Sequence, residues 1–179
     1  MLKHIRSFTV VLIAIFLFPF NNVIASDKIE KAGDLLQILL PGIAYGSTFY
    51  LDDSEGRIQF YKSFTANILV TYGLKHVIEK DRPNGSSKSF PSGHTSAAFQ
   101  GASFIHKRYG LEYAIPAYIG ASFVGYSRVE SNQHYVEDVL VGAAIGIASS
   151  FYFGTRFKGF QIQPVVNNGS YGIRVSKNW

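Results

Sequence analysis

The chain has 179 residues, enough for one domain, with 47% hydrophobic and 16% charged residues and a net charge of +5. Its basic residues are scattered, and no basic stripe interleaved with aromatics points to nucleic acid; the positive balance suits anionic substrates or an anionic membrane surface. There is no cysteine, which excludes disulfides and thiol catalysis.

Residues 1–26 read as an export signal or N-terminal anchor. Lys3 and Arg6 form a basic start, Phe8–Phe20 is apolar, and Val23-Ile24-Ala25 offers small residues for cleavage after Ala25 or Ser26. A short polar segment, Asp27–Gly33, follows. Leu35–Leu51 is free of charge, with Asp34 at its head, and Pro41-Gly42 is expected to kink or break it. Asp52–Gly56 reads as an acidic turn. The next helix is expected over about Ile58–Ile78, carrying Lys62 and Lys75. Glu79–Pro91 is a loop punctuated by Pro83, Asn84 and Gly85. Ser92–Tyr109 is helical and rich in small residues, which let helices approach closely. Glu112–Ser127 and Tyr135–Phe153 are the last two helices expected. After residue 158 the pattern alternates around Asn168-Gly169, the signature of a β-hairpin. The fold class is therefore all-α, a bundle of about five to six helices spanning 27–158, with a hairpin tail at 159–179.

Three clusters carry chemistry. The first is Lys75, six residues, then Arg82-Pro83. The second is Pro91-Ser92-Gly93-His94. The third is Ser127-Arg128, five residues, His134, three residues, Asp138. Arg forks match phosphoryl oxygens bidentately and Lys adds a point charge, so Lys75, Arg82 and Arg128 suit an oxyanion. Ser92-Gly93 at a helix start offers backbone N–H groups to the same anion, and Gly93 leaves room for its approach. A neutral imidazole can attack phosphorus directly. His134 and Asp138, four residues apart, would share one helix face, so that the carboxylate fixes the tautomer and stabilises the imidazolium. His94 has no carboxylate at that spacing and is left as the acid. A metal at His134 and Asp138 is disfavoured, because two Arg and a Lys would repel it. His4, His76 and His106 belong to no cluster.

These clusters resemble the three-part motif of the type 2 phosphatidic acid phosphatases. That superfamily includes lipid phosphate phosphatases, bacterial class A acid phosphatases and vanadate haloperoxidases. The resemblance covers roughly residues 60–150 and matches every motif position. It implies an all-α core and metal-free, cofactor-free phosphohydrolysis through a phosphohistidine. By it, Lys75, Arg82, Ser92, Gly93 and Arg128 hold the phosphate, His94 is the acid, His134 the nucleophile and Asp138 its partner.

A spanning helix needs about 20 mostly apolar residues. Leu35–Leu51 and Tyr113–Ser127 nearly qualify, and Val139–Phe153 does if Tyr135–Asp138 lies at the interface. If every helix crosses, Met1–Arg6, Arg57–Lys62, His106–Arg108 and Arg156–Lys158 fall on one side and the three clusters on the other, in keeping with the positive-inside rule. The expectation is a bacterial inner-membrane enzyme with a periplasmic active site and a lipid phosphate monoester or diphosphate as substrate. The alternatives are a soluble periplasmic acid phosphatase and a non-catalytic binder of phosphorylated lipids. Retention of both histidines and Asp138 argues against the binder, since binding needs only the cations.

Overall fold

A computed structural model describes residues 26–158, 160–167 and 170–177. Five helices follow one another: α1 Ser26–Tyr50, α2 Ser54–Val77, α3 Gly93–Tyr109, α4 Leu111–Glu130 and α5 Val136–Phe153. Then come two antiparallel strands, β1 Phe160–Asn167 and β2 Ser170–Lys177, in register from Phe160↔Lys177 to Asn167↔Ser170. The helical class and the paired tail agree with expectation. The expected Asn168-Gly169 turn lies outside the described residues, as does the expected signal or anchor apart from Ser26.

Two local expectations need correction. Of the kink or break expected at Pro41-Gly42, the break does not occur: α1 runs through Pro41. Leu40 and Ala44, on either side of it, are buried in the core, so tertiary packing carries the helix past the missing N–H. The acidic turn after α1 is also shorter than expected. Asp53 caps α2, accepting from Gly56 N at 2.9 Å, so that the helix already begins at Ser54.

Helix α3 is central and packs against the other four. Each neighbour meets it with a narrow stripe. On α5 the buried residues are Asp138, Gly142, Gly146 and Ser150, one per turn. A Cβ at Gly146 would lie 2.7 Å from Gln100 N, so only glycine lets α5 come this close to α3. On α2 the stripe includes Ser63, Asn67 and Thr71, and on α4 it runs Ala117, Ala121, Val124, Arg128. Much of this interior is polar. Gln100 Nε2 donates to Ser63 Oγ (2.9 Å), Ser150 Oγ donates to the Gln100 carbonyl (2.8 Å), and Thr71 and Ser96 share a hydroxyl contact. Large apolar side chains point outward instead, among them Ile38, Leu69, Ile115, Ile119 and Leu140.

One end of the bundle is tied by Arg108, which is 1% exposed. Its Nε and Nη2 donate to the two carboxylate oxygens of Asp53 at 2.7 and 2.6 Å, and Nη1 reaches the Thr155 carbonyl at 3.0 Å. Tyr109 OH donates to the same carboxylate. The fork thus joins the α1–α2 turn, the end of α3 and the chain leaving α5. The basic segments near Arg57, Arg108 and Arg156 gather at this end.

Burial resists the charge on Asp53, but the Arg108 fork and the Gly56 N–H outweigh it and hold its carboxyl below the ordinary range. Asp53→Ala strands a buried guanidinium, and such broken pairs cost about 3–5 kcal/mol. Thermal unfolding of the purified variant should show that loss, while the folded fraction keeps its activity. The stabilisation from Asp53 should be complete above about pH 4 and fade only as pH falls through its lower folded value.

Candidate active site

The opposite end of the bundle receives all three clusters. Each helix delivers its residue by extending its buried stripe one turn further. Lys75 follows Asn67 and Thr71 on α2, Arg128 follows Ala121 and Val124 on α4, and Asp138 precedes Gly142 on α5. Ser92 caps α3: its Oγ accepts from Thr95 N at 3.4 Å, while its own N–H donates to the Asp138 carbonyl at 2.9 Å. A Cβ at Gly93 would meet only ordinary contacts, Lys75 Cε at 3.7 Å and Thr71 Cγ2 at 3.9 Å. Helix packing therefore does not demand glycine there; the space lies beside Lys75.

Two loops complete the site. The loop after α2 is closed on itself by Arg82 N–H to the Ser86 carbonyl (2.7 Å) and Ser89 N–H to the Lys80 carbonyl (2.8 Å). The loop after α4 folds back so that Gln133 and His134 N–H both donate to the Arg128 carbonyl at 3.0 Å. Asn84 N–H donates to the Asn132 carbonyl at 3.2 Å and joins the two loops.

The cations are held by oxygen atoms. Lys75 Nζ donates to the Lys88 carbonyl (2.9 Å) and the Ser89 carbonyl (3.4 Å). Arg82 Nη1 donates to Gln133 Oε1 at 2.7 Å, while its Nε is buried with no partner among the described residues. Arg128, 2% exposed, donates to Asp34 Oδ1 (2.8 Å), to the Glu30 carbonyl (2.7 Å) and to Ser127 Oγ (3.1 Å). Lys75, Arg82 and Arg128 all act electrostatically on His94, so they lie in its neighbourhood.

The histidine–carboxylate pair differs in detail from the sequence expectation. His134 lies in the loop before α5, not on a helix face shared with Asp138. The turn, not the helix, sets their separation, and Nδ1 stands 3.6 Å from Asp138 Oδ2. That is too long for a direct hydrogen bond. The Ser89 hydroxyl lies beside both: it donates to Asp138 Oδ2 and sits 3.4 Å from His134 Nδ1, close enough to relay a weak bond. Asp138 is fully buried and is anchored by Tyr135 N–H (3.0 Å) and by Lys80 Nζ (2.6 Å).

Burial pushes the His134 imidazole down to about 3, with Lys75 and Arg82 adding to the shift and Asp138 opposing it. It is therefore neutral at physiological pH. Burial also works against the charge on Lys80, but its bonds to Asp138 and Glu137 outweigh that and hold its pKa above the ordinary lysine value.

Sequence reasoning missed Asp34, Lys80, Ser89 and Gln133. Asp34 was visible as the acid heading a charge-free run, although nothing in the spacing tied it to the clusters. His76 bonds the Tyr72 carbonyl and His106 bonds Tyr118 OH, neither within the clusters.

The PAP2 superfamily model matches residues 58–159, which include all three clusters. The Lipid A 4'-phosphatase of Helicobacter pylori is 28% identical over 170 residues, covering 84% of this chain and 85% of that protein. Phosphatidylglycerophosphatase B of Bacillus subtilis is 31% identical over 161 residues, covering 79% and 78%. The Lipid A 1-phosphatase of Porphyromonas gingivalis is 44% identical over 77 residues, 41% of this chain, but the match spans only 17% of that longer protein. In fold, the crystal structure of Aquifex aeolicus LpxE superposes with a TM-score of 0.55 at 21% identity, covering 74% of this chain and 96% of that one. With the family model covering more than half of the chain, and a relative above 30% identity matched over most of both sequences, this chain belongs to the PAP2 superfamily.

Proposed function

We propose that the protein is a membrane-embedded phosphatase that hydrolyses a lipid phosphate at the periplasmic face through a phosphohistidine on His134. The observation that carries the proposal is a neutral, buried His134 imidazole beside Lys75 and Arg82, with Arg128 joining them around His94 at one end of the bundle. Lys75, Arg82 and Arg128 would hold the phosphoryl oxygens and match the charge that spreads over them in the transition state. The unpartnered Arg82 Nε is a ready donor, and leaving such a buried donor unsatisfied costs about 1–3 kcal/mol. The Ser92-Gly93 start of α3 adds backbone N–H groups.

In the first half-reaction His134 Nε2 attacks phosphorus. A P–N bond forms, the P–O bond to the lipid breaks, and His94 passes its proton to the departing oxygen. The proton kept on His134 Nδ1 faces Ser89 and Asp138, whose negative charge stabilises the phosphoimidazolium. In the second half water attacks phosphorus, His94 takes a proton from it, the P–N bond breaks, and phosphate leaves with His134 neutral again. The cations leave no place for a catalytic metal, since they would repel it.

The relatives' names point to lipid phosphates, among them lipid A and phosphatidylglycerophosphate. The bundle supports a lipid setting. Beside its core of Leu40, Phe60, Phe104 and Ile105, the bundle has a polar, small-residue seam, while many large apolar side chains face outward, as suits a lipid surround. Among the described residues Val136–Phe153 alone is long and apolar enough to span, with mean hydropathy 1.4 and only 28% of it buried within the chain. At about 1.5 Å per residue, α3 and α5 are about 25–27 Å long, close to the hydrocarbon thickness. Exposed Tyr72, Tyr126 and Tyr135 ring the site end, and Tyr50 and Tyr152 the other, as interfacial aromatics do. The basic segments gathered at the far end support a site on the outer side, by the positive-inside rule.

Carbonate washing should leave the protein in the membrane pellet; recovery in the soluble periplasmic fraction would favour the acid-phosphatase alternative. Phosphate release from a panel of lipid A, phosphatidylglycerophosphate, phosphatidic acid and undecaprenyl diphosphate should survive EDTA and be inhibited by vanadate. Activity abolished by chelation and restored by one specific metal would rule the mechanism out. His134→Ala should abolish a phosphoenzyme trapped by acid quench. His94→Ala should cost about 10²–10⁴-fold on a lipid or alkyl phosphate and far less on p-nitrophenyl phosphate, whose leaving group needs little protonation. A quenched digest carrying the phosphoryl group on His94 would reverse the two roles.

A further inference from the structure

Of His94 and His134, only His134 has a carboxylate at a short spacing in the sequence. The fold supplies the second histidine with one from a different helix. Asp34 Oδ1, on α1, stands 3.2 Å from His94 Nε2 and 2.8 Å from Arg128 Nη1. The approach is built into α1. The Glu30 carbonyl, one turn before Asp34, accepts from Arg128 Nη2 at 2.7 Å. Between them, a Cβ on Gly33 would lie 2.7 Å from Arg128 Nη2 and still closer to Ser127 Oγ, so α1 reaches this position only with glycine there.

A carboxylate among phosphate-binding cations needs a reason, since it competes with the substrate for them. The reason lies in what surrounds His94. Arg128 from α4, Arg82 from the loop after α2, and Lys75 from α2 all face it, and burial further disfavours a charged ring. A general acid has to arrive protonated. Of the charged groups acting on His94, Asp34 alone is negative.

We propose that Asp34 is the positioning carboxylate of the general acid, accepting from His94 Nε2–H so that Nδ1 faces the leaving oxygen. The proposal rests on the reading of His94 as the acid. When His94 gives its Nδ1 proton to the departing oxygen, the ring becomes neutral with its proton on Nε2, still held by Asp34. In the second half-reaction Nδ1 takes the proton of water, and Asp34 stabilises the imidazolium that forms. The site then contains two histidine–carboxylate pairs of opposite duty: Asp138 serves the nucleophile, and Asp34 the acid.

Asp34 also braces Arg128, and the two effects separate by leaving group. A displaced Arg128 weakens phosphate binding equally for every ester, whereas a disabled acid penalises only esters with basic leaving groups. In the full-length protein, Asp34→Asn should lower kcat on an alkyl phosphate roughly ten- to a hundredfold more than on p-nitrophenyl phosphate, within the range of a general acid's contribution. In the His94→Ala background that extra loss should vanish, because the group Asp34 acts through is gone. Asp34→Glu, which keeps the charge, should recover part of the alkyl-ester rate. Thermal unfolding confirms that each variant is folded. An equal loss on both esters would reduce Asp34 to a brace for Arg128, and a gain on both would make it a competitor of the substrate phosphate; either result overturns the proposal. Should His94→Ala itself show no leaving-group dependence, the acid assignment fails and the proposal falls with it. If His94→Ala shows the dependence and Asp34→Asn does not, only the proposal for Asp34 fails.

Discussion

Three side-chain cations gathered with two histidines at one end of the bundle are the constraint on which the rest of this structure depends. Lys75, Arg82 and Arg128 repel one another and are partly withdrawn from water, so each needs oxygen partners that leave one face free. The fold meets this need with oxygen atoms brought from other parts of the chain. Backbone carbonyls of Lys88 and Ser89 hold Lys75, the Gln133 amide holds Arg82, and Asp34 with the Glu30 carbonyl holds Arg128. Asp138, the one fully buried carboxylate of the cluster, is balanced by Lys80 and is not taken up by the phosphate-facing cations. An anion placed among the three would complete their partners, so under the proposed function the same groups would serve both binding and transition-state stabilisation.

The bundle acts as a ruler for that site. Small or polar residues recur one per turn on α2, α4 and α5, and the turn beyond the last of them carries Lys75, Arg128 or Asp138. Close packing along each stripe therefore fixes the depth and direction of each functional side chain. At the far end the Arg108–Asp53 fork locks the α1–α2 turn to the end of α3. Polar knots at both ends, a seam of small residues between them and apolar side chains outside together suit a bilayer: lipid tails compete poorly for backbone-close contacts and solvate the exposed leucines and isoleucines.

The two histidines show how one residue type meets two different surroundings. His134 lies within reach of Ser89 and Asp138, in a pocket that keeps it neutral and so able to attack. His94 lies at the first turn of α3 against Asp34, with Arg128, Arg82 and Lys75 also acting on it. Neither ring differs from the other in chemistry; the carboxylate and the cations around each make the difference.

The sequence by itself determined the helical class, the order of the five helices, the hairpin character of the tail and the three clusters of cations, histidines and carboxylate. These are local properties: apolar periodicity, Pro and Gly punctuation, and short fixed spacings such as His134 to Asp138. What only the tertiary structure decided depends on parts of the chain far apart in sequence. Helix α1 runs through Pro41 because Leu40 and Ala44 are buried in the core. His134 meets Asp138 through a loop and the Ser89 hydroxyl, since the chain turns back onto the Arg128 carbonyl before α5 begins. Asp34 reaches His94, and Lys80 reaches Asp138, across separations of roughly sixty residues that no motif spacing encodes. Spacing along one helix fixes direction only within that helix; the partners that set charge and protonation in this site come from how separate helices and loops pack together.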